Sequence, residues 1–183
     1  ILLLVSGPGF RLGAVFYFSF APLDLTRPYK EVFFFQKYLM FISYGFIHSN
    51  VIHLLINVIA LFLLGKFLRS LGKDNLTFLI LFLSILGGAT FYYLFKPNSP
   101  VPLIGANSAS FGLLAFVLSE ELIKRLRRKR SVNQMMYVLL IFIFAHILYF
   151  YAFSAILPVS IIWQGHLGAF FTGAILAYVY KKI

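Results

Sequence analysis

The sequence predicts an all-α polytopic membrane protein, and three observations carry that reading. Mean hydropathy is +0.92. Of the 183 residues, 61% are hydrophobic and only 11% charged, against about 25% charged in an average soluble domain. The apolar residues also form unbroken runs of about 20, the length a helix needs to cross the hydrocarbon core. A transmembrane barrel would instead alternate polar and apolar residues along short strands. In lipid every backbone N–H and C=O needs a partner within the protein, which a helix supplies locally.

Five runs stand out in order: Leu39–Gly65, Leu76–Phe95, Leu103–Ile123, Met135–Leu157 and Ile161–Tyr180. Ahead of them, Ile1–Val5 is apolar, without the basic start or small-residue cleavage site of a signal peptide. It reads as the end of a first spanning helix truncated at its start, which makes six. Gly7, Pro8, Gly9 and Arg11 then break the chain, and Pro22, Asp24 and Pro28 break it again. Residues 10–37 are therefore expected to be an aromatic external loop in the membrane interface. Without internal repeats or linkers, residues 1–183 form a single transmembrane domain in this reading.

Orientation follows from charge. The 16 Lys and Arg residues give a net charge of +11, and most sit in alternate connectors. Lys66, Arg69 and Lys73 follow the second helix, Lys124, Arg125, Arg127, Arg128, Lys129 and Arg130 the fourth, and Lys181 and Lys182 the sixth. By the positive-inside rule these connectors and the C-terminus are cytoplasmic. Arg11, Arg27, Lys30 and Lys37 in the external loop run against the scheme. Topology accounts for the basic residues better than nucleic acid does, and for the Lys124–Arg130 cluster it is more economical than anionic-lipid binding. Glu120 and Glu121 read as solvated partners of that cluster. The chain has no cysteine, hence no disulfide or thiolate. It also has no metal-ligand spacing and no phosphate loop, so no cofactor or metal is expected.

Polar groups inside membrane helices are costly and mark function. His53 and Asn57 lie four residues apart on one face of the second helix, with His48 at its outer entrance. The fourth run opens Gly105-Ala106-Asn107-Ser108-Ala109-Ser110-Phe111-Gly112, and the sixth holds Gly165-His166-Leu167-Gly168, with Gly165, Ala169 and Gly173 forming a smooth seam. Taken singly these are the marks of helix packing. Jointly they place unusual polar groups from three stretches at one depth, toward the external side. That fits a single site with a base, a hydroxyl or amide, and oxyanion donors. His146, in the middle of the fifth helix, reads as a satisfied core histidine.

These three motifs together resemble the rhomboid family of intramembrane serine peptidases, in matching order and spacing over residues 33–180. The resemblance implies a rhomboid-like six-helix bundle with a Ser-His dyad, acting without a cofactor on transmembrane segments of proteins in the bilayer. Carried over by position, His166 is the general base, His53 and Asn57 assist the oxyanion, and Gly105 is the glycine preceding the nucleophile. The family pattern Gly-x-Ser-Gly places Asn107 at the nucleophile position and Ser108 where its second glycine belongs. An amide is no nucleophile for a dyad. Ser108, the alternative nucleophile, is rotated about 100° around a regular helix, while Ser110 shares the face of Asn107 about 4.5 Å deeper. The family's arginine-containing loop motif has no clear counterpart near residues 36–43. Two readings follow: a serine endopeptidase inactive at its nucleophile, or a pseudoprotease that binds transmembrane segments. A transporter would need a polar pathway, which the Leu, Ile and Phe of the cytoplasmic halves do not offer.

Overall fold

A computed structural model of the chain describes residues 8–26, 34–154 and 162–181. Among these lie eight α-helices: α1 (Pro8–Phe18), α2 (Leu23–Thr26), α3 (Gln36–Ser43), α4 (Val51–Ser70), α5 (Thr77–Phe95), α6 (Asn107–Arg127), α7 (Asn133–Ser154) and α8 (Trp163–Tyr180). Ile1–Val5, expected to be the end of a first spanning helix, lies outside the described residues, as do Arg27, Lys30 and Lys182. Among the described residues, two segments are long and apolar enough to cross a membrane, Val51–Ser70 and Asp74–Phe95, and α7 carries a shorter apolar stretch over Asn133–Leu148. Large apolar side chains such as Ile59, Phe62, Leu79, Phe144 and Ile175 are exposed on the helix surfaces, as hydrocarbon contact permits.

The run from Leu39 to Gly65 is not one helix. It holds α3, a 3-10 turn at Tyr44–Phe46 and then α4. Asn50, in extended backbone, accepts the His53 N–H with its side chain at 2.8 Å, an N-cap that starts α4 at Val51. The cap fixes His48 outside the helix and His53 in its first turn.

The segment expected to be an external loop, residues 10–37, carries helical structure where it is described. The described part of this segment, residues 10–26 and 34–37, holds most of α1, all of α2 and the start of α3, and Phe20 is fully buried in a core with Met40, Tyr44, Ile85, Tyr92 and Leu103. Phe20 and Leu103 exchange backbone hydrogen bonds of 3.1 and 2.8 Å as an isolated antiparallel bridge. The non-helical stretch before α6 needs outside partners for its backbone groups, and this segment supplies them.

The centre of the bundle is α5, α6 and α8. A Cβ added at Gly173 would overlap the Gly112 carbonyl, and one at Gly88 would lie 2.8 Å from the Gly165 carbonyl oxygen, so these helices meet backbone to backbone. At the basic end Glu120 is not solvated but 1% exposed. Its carboxylate pairs with Lys73 and with Lys124, its carbonyl accepts from Lys181 at 3.5 Å, and the Lys73 ammonium lies 4.3 Å from the Tyr180 ring centroid. Glu121 pairs with Arg125 at 2.7 Å, as expected of a helical neighbour four residues away.

Candidate functional site

The site begins at Gly105. Its φ of +94° is open to glycine and strained for other residues, and a Cβ there would lie 2.5 Å from the His53 ring. Its N–H donates to the Tyr44 carbonyl at 3.0 Å. This turn ends the extended approach from Leu103 and starts α6 at Asn107, bringing the helix start against the two histidines of the α4 entrance. The Ala106 N–H donates to His48 Nε2 at 3.4 Å, and the Asn107 amide nitrogen lies 3.2 Å from His53 Nε2. The other nitrogen of His53 is 3.2 Å from the Ser49 hydroxyl. His48 and His53 meet edge to face at 5.0 Å between centroids.

His48 stands outside the spanning segments. Burial pushes its imidazole below its ordinary value, and the Phe46 carbonyl opposes that shift. Asn57 is 1% exposed and turned along its own helix, donating to the His53 carbonyl at 2.9 Å. Among the described residues its side-chain oxygen has no hydrogen-bond partner.

His166 lies flat on Phe111, with ring centroids 4.6 Å apart and planes within 4°. Phe111 is one helical turn beyond Asn107, so position 107 lies on the face of α6 that meets His166. The 107 face therefore carries both His53, at the helix start, and His166. Ser108 faces elsewhere. Its hydroxyl is packed at Gly88, beside the Tyr44 hydroxyl, which itself donates to the Ile85 carbonyl at 2.8 Å.

His146 is the residue the sequence reading set aside. Its ring meets His166 edge on at 4.9 Å and Phe111 at 4.7 Å, and it lines two cavities. One, about 300 Å³, runs between α7 and α8 past Phe111, Trp163 and His166. The other, about 490 Å³, lies between α4 and α7 and is lined by Asn107, Ser110 and His146 among aliphatic residues. It shares Leu63, Leu64, Leu114 and Val138 with a third cavity of about 730 Å³ that ends at Arg125 and Gln134. The half of the bundle nearer the basic end is therefore open between α4 and α7 rather than sealed, though its walls are mostly apolar. An ionisable ring in the middle of an apolar helix was the available signal for His146. Tyr44 and Phe111 gave no sign among so many aromatics. Among the described residues no three His, Asp or Glu side chains gather as metal ligands would.

The Rhomboid domain family model matches residues 36–183. Similar proteins include an uncharacterized protein of Mycobacterium bovis and uncharacterized proteins of two strains of Mycobacterium tuberculosis, each 28% identical over 141 residues. The match covers 73% of this chain and 55% of each relative, so the chain spans about half the length of the curated relatives it matches. No solved structure matches the chain significantly. The family match takes in most of the chain, from the start of α3 onward, and contains every histidine and amide of the site just described; the chain belongs to the rhomboid family of integral membrane proteins.

Proposed function

We propose that this chain carries the site of a rhomboid-type intramembrane serine endopeptidase with Asn107 at the nucleophile position, and that as written it binds transmembrane segments without cutting them. The observation that carries this is the flat stacking of His166 on Phe111. It supports the helical register in which position 107, and not Ser108, turns toward His166 as the proposed base.

With serine at 107, the hydroxyl oxygen would attack a peptide carbonyl carbon while His166 takes its proton. His53, Asn57 and backbone N–H groups would hold the tetrahedral oxygen. His166 would then return the proton to the leaving amine, and water would hydrolyse the acyl-enzyme. With asparagine at 107 the first step fails, because the amide nitrogen's lone pair is delocalised into its carbonyl. Binding remains: the cavity between α4 and α7 reaches Asn107 through aliphatic walls suited to a guest membrane segment.

The test compares the chain with Asn107→Ser in liposomes, using a fluorophosphonate probe and a transmembrane substrate. Labelling and cleavage are expected only in Asn107→Ser, and both should vanish on adding His166→Ala. Labelling of the unaltered chain that is lost in Ser108→Ala and in His166→Ala would make Ser108 the nucleophile and overturn the register. A folded Asn107→Ser variant that binds a segment without cutting it would leave the pseudoprotease reading alone standing.

A further inference from the structure

We infer that the basic end of the bundle holds a phosphate site formed by Lys124 and Arg127 of α6 with Lys181 after α8, and that its occupant is the headgroup of an anionic phospholipid. The inference is independent of the chemistry proposed at Asn107.

The carboxylates of this end are already taken. Asp74 pairs with Arg69 at 3.9 Å, Glu121 with Arg125, and Glu120 with Lys73 and Lys124. Among the described residues no carboxylate pairs with Arg127 or Lys181. The positive-inside rule explains how many cations lie in each connector. It does not require cations from three separate segments to meet, yet they do. Glu120 Oε2 takes both Lys73 and, at 3.8 Å, Lys124, while the Lys181 ammonium reaches the Glu120 carbonyl at 3.5 Å. Arg127 follows Lys124 by three residues and shares its face of α6. Partial burial lowers the Lys181 ammonium from its ordinary value, Glu120 opposes that shift, and Arg127, Lys124 and Lys73 add to it. One carboxylate among four cations leaves an excess of like charge that a bound oxyanion would relieve.

The arrangement separates an inner counter-ion from an outer receptor. Glu120 is 1% exposed, and Lys73 is held between it and the rings of Tyr180 and Phe116, so neither faces outward. The Lys124 side chain is 38% exposed, Arg127 is exposed and Lys181 half-buried, which leaves these three within reach of a ligand. Phosphate suits them because its oxygens accept charge-assisted bonds from several cations at once. A lipid suits the corner because exposed apolar side chains, Leu122 and Leu126 on α6 and Tyr178 and Val179 on α8, occupy the same helix turns. The tails would lie along that hydrocarbon-facing surface while the headgroup meets the cations. Basic pockets between membrane helices bind phosphate headgroups in this manner.

The experiment mixes the full chain, in detergent and about 0.15 M ammonium acetate, with dioleoyl phosphatidylglycerol or dioleoyl phosphatidylcholine. At that salt, fields fade over about 8 Å, so remote cations contribute little. Native mass spectrometry reads the lipid bound. Each contacting cation is worth about fivefold in affinity, so phosphatidylglycerol should bind about tenfold tighter or more. Lys181→Gln alone, which breaks no ion pair, should weaken it about fivefold. Lys124→Gln/Arg127→Gln/Lys181→Gln should erase the preference. Arg128→Gln/Lys129→Gln/Arg130→Gln removes the same charge from the neighbouring connector and should preserve it. Equal losses in the two triple variants, or equal retention of both lipids by the unaltered chain, would overturn the inference. Displacement of the lipid by millimolar inorganic phosphate would overturn the lipid as occupant and make the site one for free phosphate.

Discussion

The amide nitrogen of Asn107 sits 3.2 Å from Nε2 of His53, so the residue proposed for the nucleophile position is tied to a residue proposed to hold the oxyanion. An amide N–H only donates, which makes His53 Nε2 the acceptor and leaves its Nδ1–H to the Ser49 hydroxyl. A nitrogen that accepts cannot also donate to an oxyanion. A double-mutant cycle of Asn107→Ala and His53→Ala should therefore show a coupling of about 1 kcal/mol, the net worth of one such bond. The measurement is the unfolding midpoint in detergent, and strict additivity would refute the pairing.

The seam between α6 and α8 predicts a steep cost for one methyl group. In Gly173→Ala the new Cβ meets the Gly112 carbonyl, which is backbone and cannot rotate away. Destabilisation of about 1–3 kcal/mol is expected, nearer the upper end. Gly65→Ala on α4, where the nearest atom to a Cβ is the Thr77 methyl at 4.0 Å, should be neutral or stabilising by comparison. Equal effects of the two would contradict the close backbone contact.

Glu120 joins three segments at the basic end, so Glu120→Ala should strip Lys73 of its buried counter-charge. Lys73 is itself only 13% exposed at its side chain, and breaking such a pair costs about 3–5 kcal/mol. Glu121→Ala, which opens a more exposed pair with Arg125, should cost about 1 kcal/mol or less. Thermal melting of the two variants side by side distinguishes them.

The histidine outside the spanning segments gives a pH dependence with a definite sign. His48 has its folded value pushed below the ordinary 6.5 by burial, so the unfolded chain binds the proton more readily. Its contribution is complete above about pH 6.5 and is lost as pH falls through that value toward the folded one. Stability should therefore drop between pH 7 and 5, and His48→Gln should flatten that part of the profile. An unchanged slope in His48→Gln would assign the drop to other groups.

Much of the site could be read from the chain because its spacing is local. His53 and Asn57 share a helical face, Gly105 announces the turn, and the register of Asn107, Ser108 and Ser110 follows from helical periodicity alone. What stayed hidden depended on contacts across the fold. The break at residues 47–50, Ile-His-Ser-Asn, falls inside the run read as one helix over Leu39–Gly65, and the Asn50 cap fixes where α4 starts. His146 acquires significance by meeting His166, and Glu120 by meeting Lys73, pairings that no short window of sequence contains. Composition likewise predicted that the aromatics of residues 10–37 would seek the interface, but not that Phe20 would bond to Leu103 as a bridge.

Contact between the Gly112 and Gly173 backbones has a mechanical meaning. Two helices already at their closest approach have no slack to take up, so α6 and α8 translate and roll as one stiff plate. The separation between position 107 and His166 is then a main-chain dimension, indifferent to the rotamers of the surrounding aromatics. Whatever give the bundle has falls to the walls around that plate, α4 and α7, which face each other across open cavities. The chain is thereby divided into a fixed gauge and a yielding jaw.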